Sequence, residues 1–225
     1  MTPSAIVVAI DGPAASGKSS TAAAVAHAVG ASHLDSGALY RGLTRVALDL
    51  GIDDPGAVIR AAEDRGLRLV KDGREIVPYL DGAPAESLIR TPAVNGAVSR
   101  IAAIGALRDW VNVRLRREAK DGAVLVLDGR DIGTAVFPDA AVKVFLTATP
   151  LARAQRRLRQ RGGELPPGAV SAEARQLEAR DAADSGRAVA PLRQAADATV
   201  VDTTDLDFQA QVDLIVDLVR NTLRR

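Results

Sequence analysis

Residues 12–19 run Gly12-Pro13-Ala14-Ala15-Ser16-Gly17-Lys18-Ser19, a complete match to G-x-x-x-x-G-K-[ST]. The match follows the apolar run Ala5-Ile6-Val7-Val8-Ala9-Ile10. It precedes Ser20-Thr21-Ala22-Ala23-Ala24-Val25-Ala26, which reads as a helix. Strand, glycine loop and helix in that order turn a string match into a phosphate site. A glycine-rich loop lets successive backbone N–H groups turn inward around phosphate oxygens. The helix adds its free N–H groups and the positive end of its dipole. Lys18 is placed to reach β- and γ-phosphates, and the Ser19 hydroxyl to ligate Mg²⁺.

Such a loop expects a parallel sheet covered by helices, and the rest of the chain supplies the pieces. Ala123–Leu127 and Val142–Leu146 are apolar enough for strands buried on both faces. Thr199–Val201 and the weaker Ser32–Leu34 are two more candidates. Helical patterns fall between them, at about 18–29, 36–50, 91–101, 105–120, 150–161, 171–185 and 207–223. Alternation of this kind argues for an α/β fold with right-handed crossovers. Ligands then sit at the carboxyl ends of the strands, where the loop, Asp35, Asp128 and Thr147 all fall.

Two segments break the alternation. Leu67–Leu80 reads as a hairpin about Asp72-Gly73, with a second turn signal at Asp81-Gly82, so about 60–90 is taken as a small β-containing insert. Arg161-Gly162-Gly163-Glu164-Leu165-Pro166-Pro167-Gly168 links two arginine-bearing helices and is expected to be mobile.

With 225 residues, of which 47% are hydrophobic, the chain suits one large domain with small insertions. The net charge of +1 provides no global field to gather nucleic acid or anionic membrane. Few aromatics are present to stack bases. There is no cysteine, which excludes disulfides and thiolate zinc sites and permits a reducing compartment. No apolar stretch reaches bilayer length. The first apolar run is short and leads into Asp11-Gly12, unlike a signal peptide. A soluble, cytoplasmic protein is expected, with a monomer as the simplest assembly.

Further constellations carry chemistry. Leu34-Asp35-Ser36-Gly37-Ala38-Leu39-Tyr40-Arg41 joins a strand end to a helix start, with Ser36 placed as N-cap. Asp128-Gly129-Arg130-Asp131-Ile132-Gly133-Thr134 follows a buried strand. Its Asp128 takes the Walker-B position that holds Mg²⁺ directly or through water. Arg130 and Asp131 offer a phosphate donor beside a base or ribose acceptor. Arg153, Arg157 and Arg161 step by four and share one helix face, with Arg156, Arg175, Arg180 and Arg187 nearby. Phosphoryl transfer needs several such cations around the equatorial oxygens. Arg180, Asp184 and Arg187 can lie on one side of a helix that ends before Pro191.

Taken together, these segments resemble the bacterial cytidylate kinases, P-loop nucleoside monophosphate kinases. The resemblance runs nearly end to end and includes Val136-Phe137-Pro138-Asp139-Ala140 and Arg187-Ala188-Val189-Ala190-Pro191-Leu192. It implies a P-loop core with a five-stranded parallel sheet, about 1–36, 105–152 and 186–225. A nucleoside-monophosphate-binding region with a β-rich insertion would occupy about 37–104, and a short helical lid about 153–180.

It also implies an ATP-dependent transfer of the γ-phosphate to CMP or dCMP, with Mg²⁺. By that resemblance Arg41 and Arg130 hold the CMP phosphate. Ser99, Arg108 and Asp131 read the cytosine edge, and Ser36 and Tyr40 line that pocket. Arg180, Asp184 and Arg187 contact ribose or phosphates. Residues Gly12 to Ser20, with Arg153 and Arg157, hold ATP. Ser19 and Asp128 hold the metal. Lys18, Asp128, Arg130, Arg157 and Arg187 form the candidate catalytic set. A P-loop kinase for UMP or another acceptor is the nearest rival. A regulatory GTP switch would need an Asn-Lys-x-Asp segment, and the chain has none.

Overall fold

The carboxyl ends of parallel strands converge on one edge of the molecule, and that edge holds the glycine loop. The computed structural model describes residues 5–120, 122–162 and 166–224. The loop expected to be mobile falls partly outside them, at 163–165. Strand β1 (Ile6–Asp11) is the spine, paired in parallel with β6 (Val124–Gly129) on one side and β7 (Val142–Thr147) on the other. Next to β6 comes β2 (Ser32–Asp35), and next to β7 comes β8 (Thr199–Asp202), both parallel. These five strands run parallel.

The sheet does not stop at five. Among the described residues it has eight strands, in the order β3-β4-β2-β6-β1-β7-β8, with β5 paired to the end of β4. The hairpin of β3 (Arg68–Asp72) and β4 (Glu75–Leu80) lies where the turn signal put it. It also joins the main sheet. β4 pairs in parallel with β2 through His33↔Glu75 and Leu34↔Ile76. A lone β2 edge would leave a row of unpaired N–H and C=O groups, and the hairpin covers it. β5 (Ala83–Pro84) then folds back on β4.

Alternation along β1 divides the interior in two. Val7 and Ala9 point into a core with Leu39 and Leu43 of α2 (Gly37–Leu50) and Leu107, Val111 and Leu115 of α6 (Gly105–Glu118). Val8 and Ile10 point to the other face. There Val25 of α1 (Lys18–Val29) meets Val212, Ile215 and Val219 of α9 (Phe208–Leu223). Each such fully buried aliphatic side chain contributes about 1.5–3 kcal/mol. A strand hydrophobic on both faces is what this sandwich demands.

Helix α3 (Pro55–Asp64) was not foreseen, although its signal is printed in the chain. Asp54 accepts a hydrogen bond from the Ala57 N–H at 2.7 Å, Pro55 opens the first turn, and Val58 and Ala62 are buried four residues apart. Short α4 (Glu86–Ile89) and α5 (Pro92–Ile101) follow. After β6 the chain makes one π-helical turn, Ile132–Val136. Helices α7 (Pro150–Arg161) and α8 (Ala169–Ser185) pack on each other above the glycine loop. Ala14 of the loop, Ala154 of α7, and Ala174 and Leu177 of α8 form a small third core.

Candidate active site

The glycine loop is shaped by steric necessity at both ends. Gly12 has φ +153°, and a Cβ there would stand 2.0 Å from the Leu146 carbonyl oxygen. Gly17 has φ +89° and offers no capping side chain, so the first N–H groups of α1 stay open to the loop. Lys18 is buried and donates to the Pro13 carbonyl at 2.6 Å and to the Ser16 hydroxyl at 3.3 Å. Burial, then the neighbouring Arg130, pushes its ammonium well below the usual lysine range. A cation so desolvated gains from an anion placed beside it.

The loop is also held from above. Arg153 donates to the Ala14 carbonyl at 2.8 Å and pairs with Asp181, which accepts from the Ala14 N–H at 2.8 Å. Arg153 is buried under this clamp and does not line the cleft, so it braces the loop from behind.

Beyond Lys18, the Ser19 hydroxyl donates to Asp128 Oδ2 at 2.6 Å, joining the helix start to the end of β6. The other oxygen, Oδ1, receives His33 Nε2 at 2.9 Å, and His33 Nδ1 meets Glu75 Oε2 at 2.5 Å. Burial alone would lower the imidazole, but Asp128 and Glu75 outweigh it and raise it to about 9. Ser19 and Asp128 offer hard oxygen donors, suited to Mg²⁺. No group of three or more His, Cys, Asp and Glu able to hold a metal occurs among the described residues. The Ser19 and Asp128 oxygens fit a magnesium ion in chemical kind.

The turn after β6 is fixed by Asp11. Its carboxylate accepts from the N–H groups of Ile132 at 2.8 Å and Gly133 at 2.7 Å. Burial raises this carboxyl to about 6 against those two bonds. Gly129 allows the turn to close, since a Cβ there would lie 2.6 Å from Ser36 Oγ and 2.7 Å from Ile132 Cγ1.

Opposite the loop stands a set of arginines balanced by few acids. Arg130 pairs with Asp184 at 3.0 Å. Arg108, fully buried, pairs with Asp131, donates to the Ala102 carbonyl at 3.0 Å, and lies over the Tyr40 ring. Arg41 and Arg90 both approach Asp35, at 3.4 and 2.9 Å. Burial would raise the Asp35 carboxyl, but the two arginines hold it below its usual range. Arg187 is tied to the carbonyls of Asp184 and Ala190 at 3.1 and 3.0 Å. Arg157 and Arg161 share Glu173, at 3.1 and 2.9 Å. Arg180 is pushed down to about 10 by burial and then by Arg130, Asp184 offsetting only part. The Tyr40 hydroxyl and the Nε groups of Arg41 and Arg180 are buried with no protein partner. Orphaned donors of this kind mark a place for an anionic, polar ligand.

Loop and arginines face each other across one cleft of about 850 Å³. Every site residue expected from the sequence lines it except Gly12, Pro13 and Arg153. One local expectation holds in position but not in bonding: Ser36 is the N-cap residue of α2 without a side-chain capping bond. Ser36 stands just before α2, yet its hydroxyl donates to the Asp128 carbonyl at 2.8 Å rather than capping. Asp35 takes the capping bond instead, accepting from the Gly37 N–H at 2.8 Å. The cleft also holds residues absent from the expected site: Arg90, Asn95, Arg156, Leu206, Phe208 and Gln211. Of these, only Arg156 carried a signal, as a member of the arginine series.

A glycine loop between a parallel strand and a helix, with a carboxylate at the next strand end and arginines opposite, defines a P-loop phosphate-binding protein. Within that class the cytidylate kinase family model matches residues 8–221. A cytidylate kinase of Streptomyces griseus is 43% identical over 96% of this chain and 93% of its own length. One from Shouchella clausii is 42% identical over 97% of each. A bifunctional pantoate ligase/cytidylate kinase of Synechococcus is 44% identical over 95% of this chain and 44% of that protein. The chain belongs to the cytidylate kinase family. Among the described residues, no helix is long and apolar enough to cross a membrane.

Proposed function

We propose that the protein transfers the γ-phosphoryl group of ATP to CMP and dCMP, giving CDP or dCDP and ADP. One observation carries this reading. A single cleft joins an anion loop to a facing group of arginines, among which the buried Nε atoms of Arg41 and Arg180 lack protein partners. Two phosphorylated ligands laid end to end satisfy both halves.

An oxygen of the CMP phosphate attacks the γ-phosphorus in line. The new P–O bond forms as the bond to the β,γ-bridging oxygen breaks, and ADP leaves. The protein forms no covalent intermediate. Loop amides and Lys18 hold the donor phosphates. Lys18 must leave the Pro13 carbonyl to do so, and its desolvated state favours that exchange. Ser19 and Asp128 would hold Mg²⁺, which would supply compensating positive charge at the donor phosphates. Arg41 and Arg130 hold the acceptor phosphate, while Arg157, Arg180 and Arg187 stabilise charge spreading over the transferred group. Ser99, Arg108 and Asp131 read the cytosine edge, with Ser36 and Tyr40 beside them, and Asp184 orients Arg130 and faces the ribose.

Residues 37–104 serve as the acceptor-binding region and 153–180 as the lid around a core of 1–36, 105–152 and 186–225. Their closure excludes water, which protects ATP from hydrolysis. The reading takes the enzyme as a monomer acting on free nucleotides in the cytoplasm, in keeping with the absence of cysteine. The test is a coupled assay with ATP and Mg²⁺ against CMP, dCMP, UMP, AMP and shikimate. CMP and dCMP should be the preferred acceptors. No magnesium-dependent conversion of either overturns the proposal.

A further inference from the structure

We propose that His33 is a positioning residue for Asp128, and that Glu75 sets its ring, making the edge hairpin part of the donor-phosphate site. The inference rests on the phosphoryl-transfer reading above and adds a support that reading does not require. Strand register creates it. On β2, His33 is the direct partner of Glu75 on β4. On the other side His33 pairs with Val126, two residues before Asp128 on β6. Direct and diagonal neighbours on one sheet face are within reach of a long side chain. The imidazole bridges them, with Nδ1 to Glu75 at 2.5 Å and Nε2 to Asp128 at 2.9 Å.

The bridge divides the work of a carboxylate. Asp128 Oδ1 is taken by His33, and Oδ2 is left for Ser19, 2.6 Å away on the first turn of α1. With both oxygens engaged from opposite sides, the carboxylate plane cannot turn. The ring cannot turn either, because Glu75 holds its far nitrogen. His33 is 6% exposed and Asp128 2%, so water cannot replace this bond cheaply. Glu75 is half exposed and opens β4, the strand that joins the edge hairpin to β2. Outer-shell partners of metal-binding side chains fix orientation in this way, and losing one weakens metal binding about 10- to 100-fold.

The experiment titrates Mn²⁺ into full-length protein saturated with ADP. Bound metal is read by electron paramagnetic resonance, and the KM for CMP is measured alongside. His33→Leu should weaken Mn²⁺ binding at least about tenfold, while the KM for CMP stays within about twofold. His33→Gln, whose amide can donate to Asp128, should recover most of the loss. Glu75→Gln should weaken Mn²⁺ about two- to fivefold, a partial loss on the same scale. Folded His33→Leu with wild-type Mn²⁺ affinity overturns the inference. So does an equal loss of metal and CMP affinity, which signals general damage. Should His33→Leu not fold, Glu75→Gln decides, and wild-type Mn²⁺ affinity there overturns it. Wild-type protein without magnesium-dependent CMP phosphorylation would instead remove the reading on which this rests.

Discussion

The two ends of the cleft hold charge by different means. The donor end is backbone: a glycine loop, the open amides of α1 and one buried lysine, all fixed to the middle of the sheet. The acceptor end is side chain: arginines from α2, α6, α8 and the loops after β6 and α8, set in part by pairing with Asp35, Asp131 and Asp184. Backbone amides in a strand-to-helix turn have nowhere to go, so the donor site is preorganised at little entropic cost. Arginine forks lose side-chain freedom when they grip, and carboxylate partners restrict part of that freedom beforehand. A polyphosphate common to many nucleotides therefore meets the rigid end. The particular acceptor meets the end whose identity rests on side chains.

Four perturbations can break or sharpen this contrast. The largest effect is expected at the donor end. Lys18→Ala should lower kcat about 100- to 1,000-fold with an unchanged circular dichroism spectrum, and normal turnover would remove Lys18 from the chemistry. Next comes Arg130→Ala, which should raise the KM for CMP about 10- to 100-fold, in keeping with loss of a charged hydrogen bond. The KM for ATP should move far less. Equal shifts for both substrates would mean that the two ends are not separate.

The third test addresses Asp11, the residue that joins the ends, and reads stability. Its folded carboxyl is raised to about 6 from 3.8, so the folded state binds the extra proton more tightly than the unfolded chain. That stabilisation is full below 3.8 and is lost as pH rises through about 6. It amounts to about 3 kcal/mol at most. Asp11→Asn stays neutral, so its Tm should gain on wild type between pH 4 and pH 7, and parallel Tm curves would contradict the assignment. The smallest effect belongs to Ser36→Ala, which loses one bond to the Asp128 carbonyl and should cost about 1 kcal/mol of stability by chemical denaturation. A larger loss would show that this hydroxyl organises the turn after β6.

The same contrast explains what was legible in the sequence. The donor end is written in consecutive residues, because a loop needs its glycines, lysine and hydroxyl at fixed spacing. The parallel strands were readable from apolar runs, and the hairpin from Asp72-Gly73. The acceptor end is assembled from distant segments. Its residues were found by resemblance and by arginine spacing, while the pairings that orient them were not. Glu75 is 42 residues from His33, and no local pattern announces that β4 will dock beside β2. For the same reason five strands were expected where eight occur. Arg153 kept the expected helical phase with Arg157 and Arg161, but phase alone does not separate a brace from a ligand contact. Ser36 sat at the right place to cap, yet the nearby Asp128 carbonyl competed successfully for its hydroxyl.

The clamp of Arg153 and Asp181 on Ala14 ties α7 and α8 to the glycine loop by both its N–H and its carbonyl. Those helices also carry Arg157, Arg180 and Asp184 into the same cleft. A ligand that shifted the loop would therefore pull on the same pair of helices that present those side chains.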